Sequence, residues 1–210
     1  MTWTQLPPLV AILRGIRPEE VLQHCEVLID AGFRAIEIPL NSPQALSSVQ
    51  ASMQAFGKDI WIGAGTVLHC AQVAQLAACA ARFIVTPNTD PDIIAAASTH
   101  GLYSCIGCMS ASEALSALKA GANALKLFPA GPLGPKYISA LKAVLPSNIP
   151  LYAVGGITPQ NIAAYLAAGC IGAGLGSDLY QAGQSPEQTW QRAQAFVAAY
   201  QAALPAETSR

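Results

Sequence analysis

The sequence predicts a single-domain α/β protein folded as a closed (β/α)8 TIM barrel. Three observations carry that prediction: eight short apolar runs, an amphipathic segment after each, and helix-start and helix-stop residues that recur between them. The 210 residues are 52% hydrophobic and 11% charged, enough apolar material for one continuous core. A chain of this length lies near the lower bound of about 200 residues for the fold, so its loops must be short. A doubly wound open sheet shares the same periodicity and is the structural alternative, because pattern alone does not show closure. The expected layout is a barrel over residues 1–204 and a frayed tail over 205–210.

The elements follow in order. The first apolar run, residues 9–13, leads into an amphipathic segment that stops at Ala31-Gly32, where a left-handed glycine would close a helix. After the second run, 35–38, Ser42-Pro43 pairs an N-cap residue with a proline in the first helical position. The third and fourth runs, 60–62 and 83–85, flank another helical segment. Asp90-Pro91 then starts a helix that His100-Gly101 ends. The fifth run, 102–106, precedes the capping box Ser110-Ala111-Ser112-Glu113 and the stop Ala120-Gly121. Beyond the sixth and seventh runs, 124–128 and 151–154, Thr158-Pro159 and Ala168-Gly169 mark one more helix. The eighth run, 171–175, is followed by Ser185-Pro186 and a last helix reaching about residue 204, expected to pack on the barrel.

Composition excludes several classes of function. Eleven basic against 12 acidic residues, with no Lys/Arg-rich run, leave no electrostatic footprint for nucleic acid or an anionic membrane. No apolar stretch approaches the roughly 18 residues of a membrane span, and residues 1–6 lack a basic signal-like region, so a cytoplasmic protein is expected. So low a charged fraction implies surface buried against further copies of the chain, a homo-oligomer. The six cysteines read as small buried hydrophobes. Cys105 and Cys108 form a C-x-x-C, but without a second pair or a nearby histidine for a metal or redox site. His24, His69 and His100 are not spaced as metal ligands, so no metal is expected.

Two charged residues interrupt apolar strands: Glu37 in Ala35-Ile36-Glu37-Ile38-Pro39 and Lys126 in Ala124-Leu125-Lys126-Leu127-Phe128-Pro129. Strand alternation turns Ile36, Ile38, Leu125 and Leu127 to the helix layer and both charges to the barrel interior. Burial strips a lysine of hydration and favours the neutral amine that attacks a carbonyl. A carboxylate in the same cavity could exchange protons. A structural Lys-Glu pair would present the same pattern.

Gly155-Gly156 follow the seventh run, and Gly174-Leu175-Gly176-Ser177 end and follow the eighth. Many barrels bind phosphate there with main-chain N–H groups at a helix N-terminus, with tight turns alone as the lesser reading of the glycines. Arg14, at the end of the first strand, offers a fork suited to a substrate carboxylate, with a surface ion pair as the alternative. Thr66, in Gly63-Ala64-Gly65-Thr66, could hydrogen-bond the same group or cap the next helix.

With these residues placed, the chain resembles the Schiff-base aldolases of 2-keto-3-deoxy-6-phosphogluconate and 2-keto-3-deoxy-6-phosphogalactonate. The likeness runs through Ala-Ile-Leu-Arg-Gly at 11–15, Gly-Ala-Gly-Thr at 63–66, Val-Thr-Pro-Asn at 85–88, Lys-Leu-Phe-Pro at 126–129 and Gly-Leu-Gly-Ser-Asp at 174–178. It implies that Lys126 forms the Schiff base, that Glu37 is the general acid/base, and that Gly155-Gly156 and Gly176-Ser177 hold a phosphate. It also implies a homotrimer acting on a phosphorylated 2-keto-3-deoxy sugar acid, with no cofactor.

Two departures from the gluconate branch bear on the substrate. The Leu-Arg-Thr stretch usual there after the glutamate is replaced by Leu40-Asn41-Ser42, which leaves more of the carboxylate binding to Arg14. Val154 stands where a threonine is usual, removing a hydroxyl near the substrate's C4 oxygen, the centre at which the two sugar acids differ. Both departures resemble the galactonate branch. The gluconate epimer and 4-hydroxy-2-oxoglutarate are the alternative substrates. A barrel isomerase or synthase using Lys126 only as a charge is the rival enzyme, and a catalytically silent sugar-phosphate binder is the rival from another class.

Overall fold

The structure, a computed structural model, describes residues 5–204; the tail expected at 205–210 lies outside them. The strands are β1 (Leu9–Ile12), β2 (Ala35–Pro39), β3 (Trp61–Gly65), β4 (Phe83–Val85), β5 (Tyr103–Cys108), β6 (Ala124–Leu127), β7 (Leu151–Val154) and β8 (Gly172–Leu175). Between and after them run α1 (Pro18–Ala31), α2 (Ala45–Phe56), α3 (Cys70–Ala78), α4 (Pro91–Thr99), α5 (Ala111–Lys119), α6 (Ala130–Lys142), α7 (Ile162–Ala167) and α8 (Pro186–Ala203). Each strand pairs in parallel with its chain neighbours, and β8 returns to β1, so the sheet closes as a (β/α)8 barrel and the open-sheet alternative is ruled out.

Strand alternation separates two cores. Ile36, Ile38, Ile62, Ile84, Ile106, Leu125 and Leu127 join the layer between sheet and helices. Val10, Ile12, Trp61, Phe83, Val85, Cys105, Tyr152 and Val154 fill the barrel interior. At the strands' N-terminal end the filling is aromatic: the Trp61 ring lies 5.5 Å from Tyr103 and 6.3 Å from Phe83. Tyr152 donates its hydroxyl to the Leu6 carbonyl, drawing the segment before β1 across that end. Toward the C-terminal end the inward positions of β3, β5 and β8 are Gly65, Gly107 and Gly174, and a cavity opens there, lined in part by Gly174.

Most of the helix signals act as expected. Asp90 accepts from the N–H groups of Asp92 and Ile93, while Ser110 with Glu113, and Ser185 with Gln188, form reciprocal capping boxes. Gly32, Gly101, Gly121 and Gly169 all adopt positive φ, between 68° and 112°, after the helices they close.

Two expected helix starts are corrected. The hydroxyl of Ser42 accepts from the Gly15 N–H at 2.9 Å, tying two loops together, and so cannot cap; α2 begins only at Ala45. Thr158 and Asn161 close a turn on each other, through the Thr158 N–H to Asn161 Oδ1 at 2.8 Å and the Asn161 N–H to the Thr158 carbonyl at 3.2 Å. The helix there, α7, therefore starts at Ile162. The cysteines need correction too. All six are free thiols, but Cys70 is exposed and Cys79 half-buried, because they flank the two ends of α3, whose buried face carries Val73 and Leu76.

Candidate active site

Glu37 and Lys126 project inward from β2 and β6, 2% and 5% exposed. Glu37 is in register with Ile12, and Lys126 with Tyr152, one inward step below Val154. Ile12 and Val154 line a cavity of about 650 Å³ at the strands' C-terminal end, and the two charges are buried beneath it, outside its lining. The surroundings of Glu37 act on its acidity. Burial pushes its carboxyl above the usual carboxylate range, and the positive charges of Lys126 and Arg14 only partly oppose this.

The two charges do not form a direct ion pair: among the described residues the one salt bridge joins Arg17 to Glu19, at 4.0 Å on the surface. Lys126 Nζ instead sits 4.9 Å from the centre of the Phe128 ring, which also lines the cavity.

Arg14, Thr66, Val154, Gly155, Gly156, Gly176 and Ser177 all line this one cavity. Arg14 lies two residues beyond the end of β1 rather than within it, exposed, and donates to Asn41 Oδ1 at 2.8 Å. It takes no part in a surface ion pair among the described residues. Thr66 follows β3 with φ of 56°, an uncommon conformation for a β-branched residue, and the N-cap of α3 is His69, so Thr66 does not cap that helix. Gly155 and Gly156 both adopt positive φ, 91° and 76°, a backbone that disfavours any side chain. A Cβ on Gly176 would meet nothing within 4 Å. After β8 the chain makes one turn, with the Leu179 and Tyr180 N–H groups on the Gly176 carbonyl, where a full helix N-terminus was expected.

Sequence reasoning overlooked three contributors to the site. Asn41 holds Arg14, Phe128 lies beside the Lys126 amine, and the bare Cα of Gly65 adjoins the Glu37 carboxyl. Phe128 lies two residues beyond Lys126, and that proximity was the available signal; Asn41 meets Arg14 only across 27 residues of chain. The C-x-x-C reading fails on geometry. Cys105 faces the barrel interior and Cys108 the helix layer, and burial pushes the Cys108 thiol up to about 12. No group of three or more metal-ligating residues occurs among the described residues.

A second cavity, about 530 Å³, lies at the other end of the barrel, lined by Trp61, Arg82, Tyr103 and Asn123. Its arginine donates to the carbonyls of Gly57 and Lys58, and its asparagine is bonded to Ser104.

Comparison with known proteins points to one family. The family model described as KDPG and KHG aldolase matches residues 3–196. The chain is 56% identical to the 2-dehydro-3-deoxy-6-phosphogalactonate aldolase of Escherichia coli, over 97% of this chain and all of that one. It is 47% identical to a probable 2-dehydro-3-deoxy-6-phosphogalactonate aldolase of Rhizobium meliloti, covering 93% and 92% of the two chains. A solved structure described as native KDPGal superposes with a TM-score of 0.94 at 56% identity, covering 97% of this chain and 98% of that one.

Proposed function

The chain belongs to the KDPG and KHG aldolase family, and from that premise we propose that it cleaves 2-dehydro-3-deoxy-6-phosphogalactonate to pyruvate and D-glyceraldehyde 3-phosphate through a Schiff base on Lys126. The observation that carries the chemical reading is the pair of buried, unbridged charges, Lys126 and Glu37, beneath a cavity lined by Arg14, Phe128 and the main chain of Gly155, Gly156 and Gly176.

The neutral Lys126 amine attacks the C2 ketone, and the carbinolamine loses water to give an iminium. Ionised Glu37 takes the proton of the C4 hydroxyl. The C3–C4 bond breaks, its electron pair passes into the iminium to give an enamine, and glyceraldehyde 3-phosphate leaves. Glu37 returns its proton to C3, and water hydrolyses the new iminium to pyruvate and free Lys126. A carboxyl whose pKa burial raises above the usual range suits both directions of that proton exchange.

Arg14, oriented by Asn41, and Thr66 hold the substrate carboxylate, while the main chain at Gly155, Gly156 and Gly176 with the Ser177 hydroxyl holds the phosphate. Val154 places an apolar wall toward C4 and selects the galactonate epimer. No step in this sequence calls for a metal or an organic cofactor.

The enzyme works as a cytoplasmic homotrimer on this reading. Exposed Met109 and Tyr137, joined through the Tyr137 hydroxyl and the Met109 carbonyl, supply apolar surface for contact between copies. No helix among the described residues is long and apolar enough to cross a membrane. The test of the substrate is kcat/KM on the two C4 epimers. The galactonate compound is expected to lead, and a tenfold preference for the gluconate compound, about 1.4 kcal/mol, overturns the assignment.

A further inference from the structure

We propose that Gly65 is a positioning residue for the Glu37 carboxyl, its missing side chain forming the seat in which the acid/base group lies. The inference rests on the acid/base reading of Glu37 given above. Gly65 ends β3 and pairs with Pro39, two residues beyond the pairing of Gly63 with Glu37. Strand alternation turns it inward, beside the upper part of the Glu37 side chain.

A Cβ built on Gly65 would fall on Oε1 and Cδ of Glu37 and lie 3.0 Å from its Cγ. All three nearest atoms belong to that one side chain. The neighbouring inward glycines differ. A Cβ on Gly63 would strike the Phe83 carbonyl and ring, and one on Gly107 would strike the backbone of Thr86 and Pro87, so those two glycines permit close strand packing. Gly65 alone gives its space to the carboxyl.

The position of the carboxyl follows from contact rather than from a bond. Glu37 has no salt bridge among the described residues, so the surrounding walls fix where its oxygens stand. The Leu40 N–H donates to the Gly65 carbonyl at 2.8 Å, which locks the end of β2 against the end of β3 and sets the seat relative to the residue it holds. Gly65 does not occupy the left-handed region, so alanine fits its backbone and acts only through the added Cβ. The atoms in the way are the end of a flexible side chain. An alanine would therefore displace the carboxyl rather than break the strand, and proton transfer tolerates little displacement from hydrogen-bonding reach.

The test is a cycle of Gly65→Ala, Glu37→Ala and the double variant, read by kcat, KM, the final extent of borohydride trapping with pyruvate, and thermal unfolding. Gly65→Ala is expected to lower kcat by roughly 100-fold, the low end of what a positioned acid/base contributes. KM and the extent of trapping should stay within about threefold of wild type, since Lys126 is untouched. In the Glu37→Ala background the same substitution should cost less than about threefold, because the seat has nothing left to hold.

A kcat within threefold of wild type for Gly65→Ala overturns the proposal, as does a further tenfold loss in the double variant. Should Gly65→Ala alone fail to fold, recovery of folding in the double variant supports the clash with Glu37, and failure of both overturns it. An active Gly65→Ala beside an inactive Glu37→Ala sinks only the seat, whereas full kcat in Glu37→Ala sinks the acid/base reading on which it rests.

Discussion

The two ends of the barrel interior are built from the same strands and opposite kinds of residue. At the N-terminal end Trp61, Phe83, Tyr103 and Tyr152 fill the space, and the Tyr152 hydroxyl secures Leu6 across the opening. At the C-terminal end glycine occupies inward positions of β3, β5 and β8: Gly65 leaves room for the Glu37 carboxyl, and Gly174 lines the cavity. Alternation along each strand decides what faces inward, and side-chain size then decides whether the interior is a core or a site. Large aromatic burial stabilises one end, while desolvated charge costs stability at the other and provides reactivity.

That contrast is most exposed at Lys126. Lys126→Met should lower kcat by about 10⁴-fold or more, as loss of a covalent nucleophile does, without lowering the unfolding midpoint, because a buried charge gives way to an apolar chain of similar length. A destabilised variant would mean that the lysine also holds the fold. Phe83→Ala tests the other end. It should cost roughly 3–5 kcal/mol in urea unfolding and leave kcat/KM of the folded enzyme within about threefold. A collapse in kcat would show that the aromatic end shapes the site after all.

Val154 stands between the two regimes, apolar like the lower core yet lining the cavity. Val154→Thr is expected to move the ratio of kcat/KM for the two C4 epimers about tenfold toward the gluconate compound, roughly 1.4 kcal/mol. An unchanged ratio places the selectivity elsewhere.

The smallest effect is a pH dependence. The folded pKa of Glu37 lies above its unfolded value, so the native state is penalised once pH rises past the unfolded value of about 4.3, and fully so above the folded one. Glu37→Gln removes the ionisation. Its unfolding midpoint should match wild type near pH 4 and exceed it at pH 7; the reverse order would mean that the carboxylate is favoured by its surroundings.

Legibility in the sequence followed the range of the interaction. Gly32, Gly101, Gly121 and Gly169 were readable because a helix end that needs positive φ selects glycine within one residue. The capping boxes at Ser110 and Ser185 were readable for the same local reason. Ser42-Pro43 looked identical to them, but its hydroxyl serves Gly15, 27 residues away, and no local pattern reports that. Thr158 was lost to a turn with Asn161 that competes with capping.

The strand ends of β3 and β5 extended past the apolar runs because Gly63, Gly65 and Gly107 carry little hydrophobic signal yet remain in the ladder. Gly65 makes room for the Glu37 carboxyl, so a part of the site defined by a missing side chain was the hardest to read. Glu37 and Lys126 were legible as charges on apolar strands. The partner of Arg14 was not, because Asn41 lies across a loop-to-loop contact.

The most direct test of the account is borohydride reduction in the presence of pyruvate, with the modified residue mapped by peptide mass. The account predicts one stable adduct per chain, on Lys126, absent from Lys126→Met. No adduct at any pH, or an adduct on another lysine with Lys126→Met still labelled, would contradict the Schiff-base mechanism at its first step.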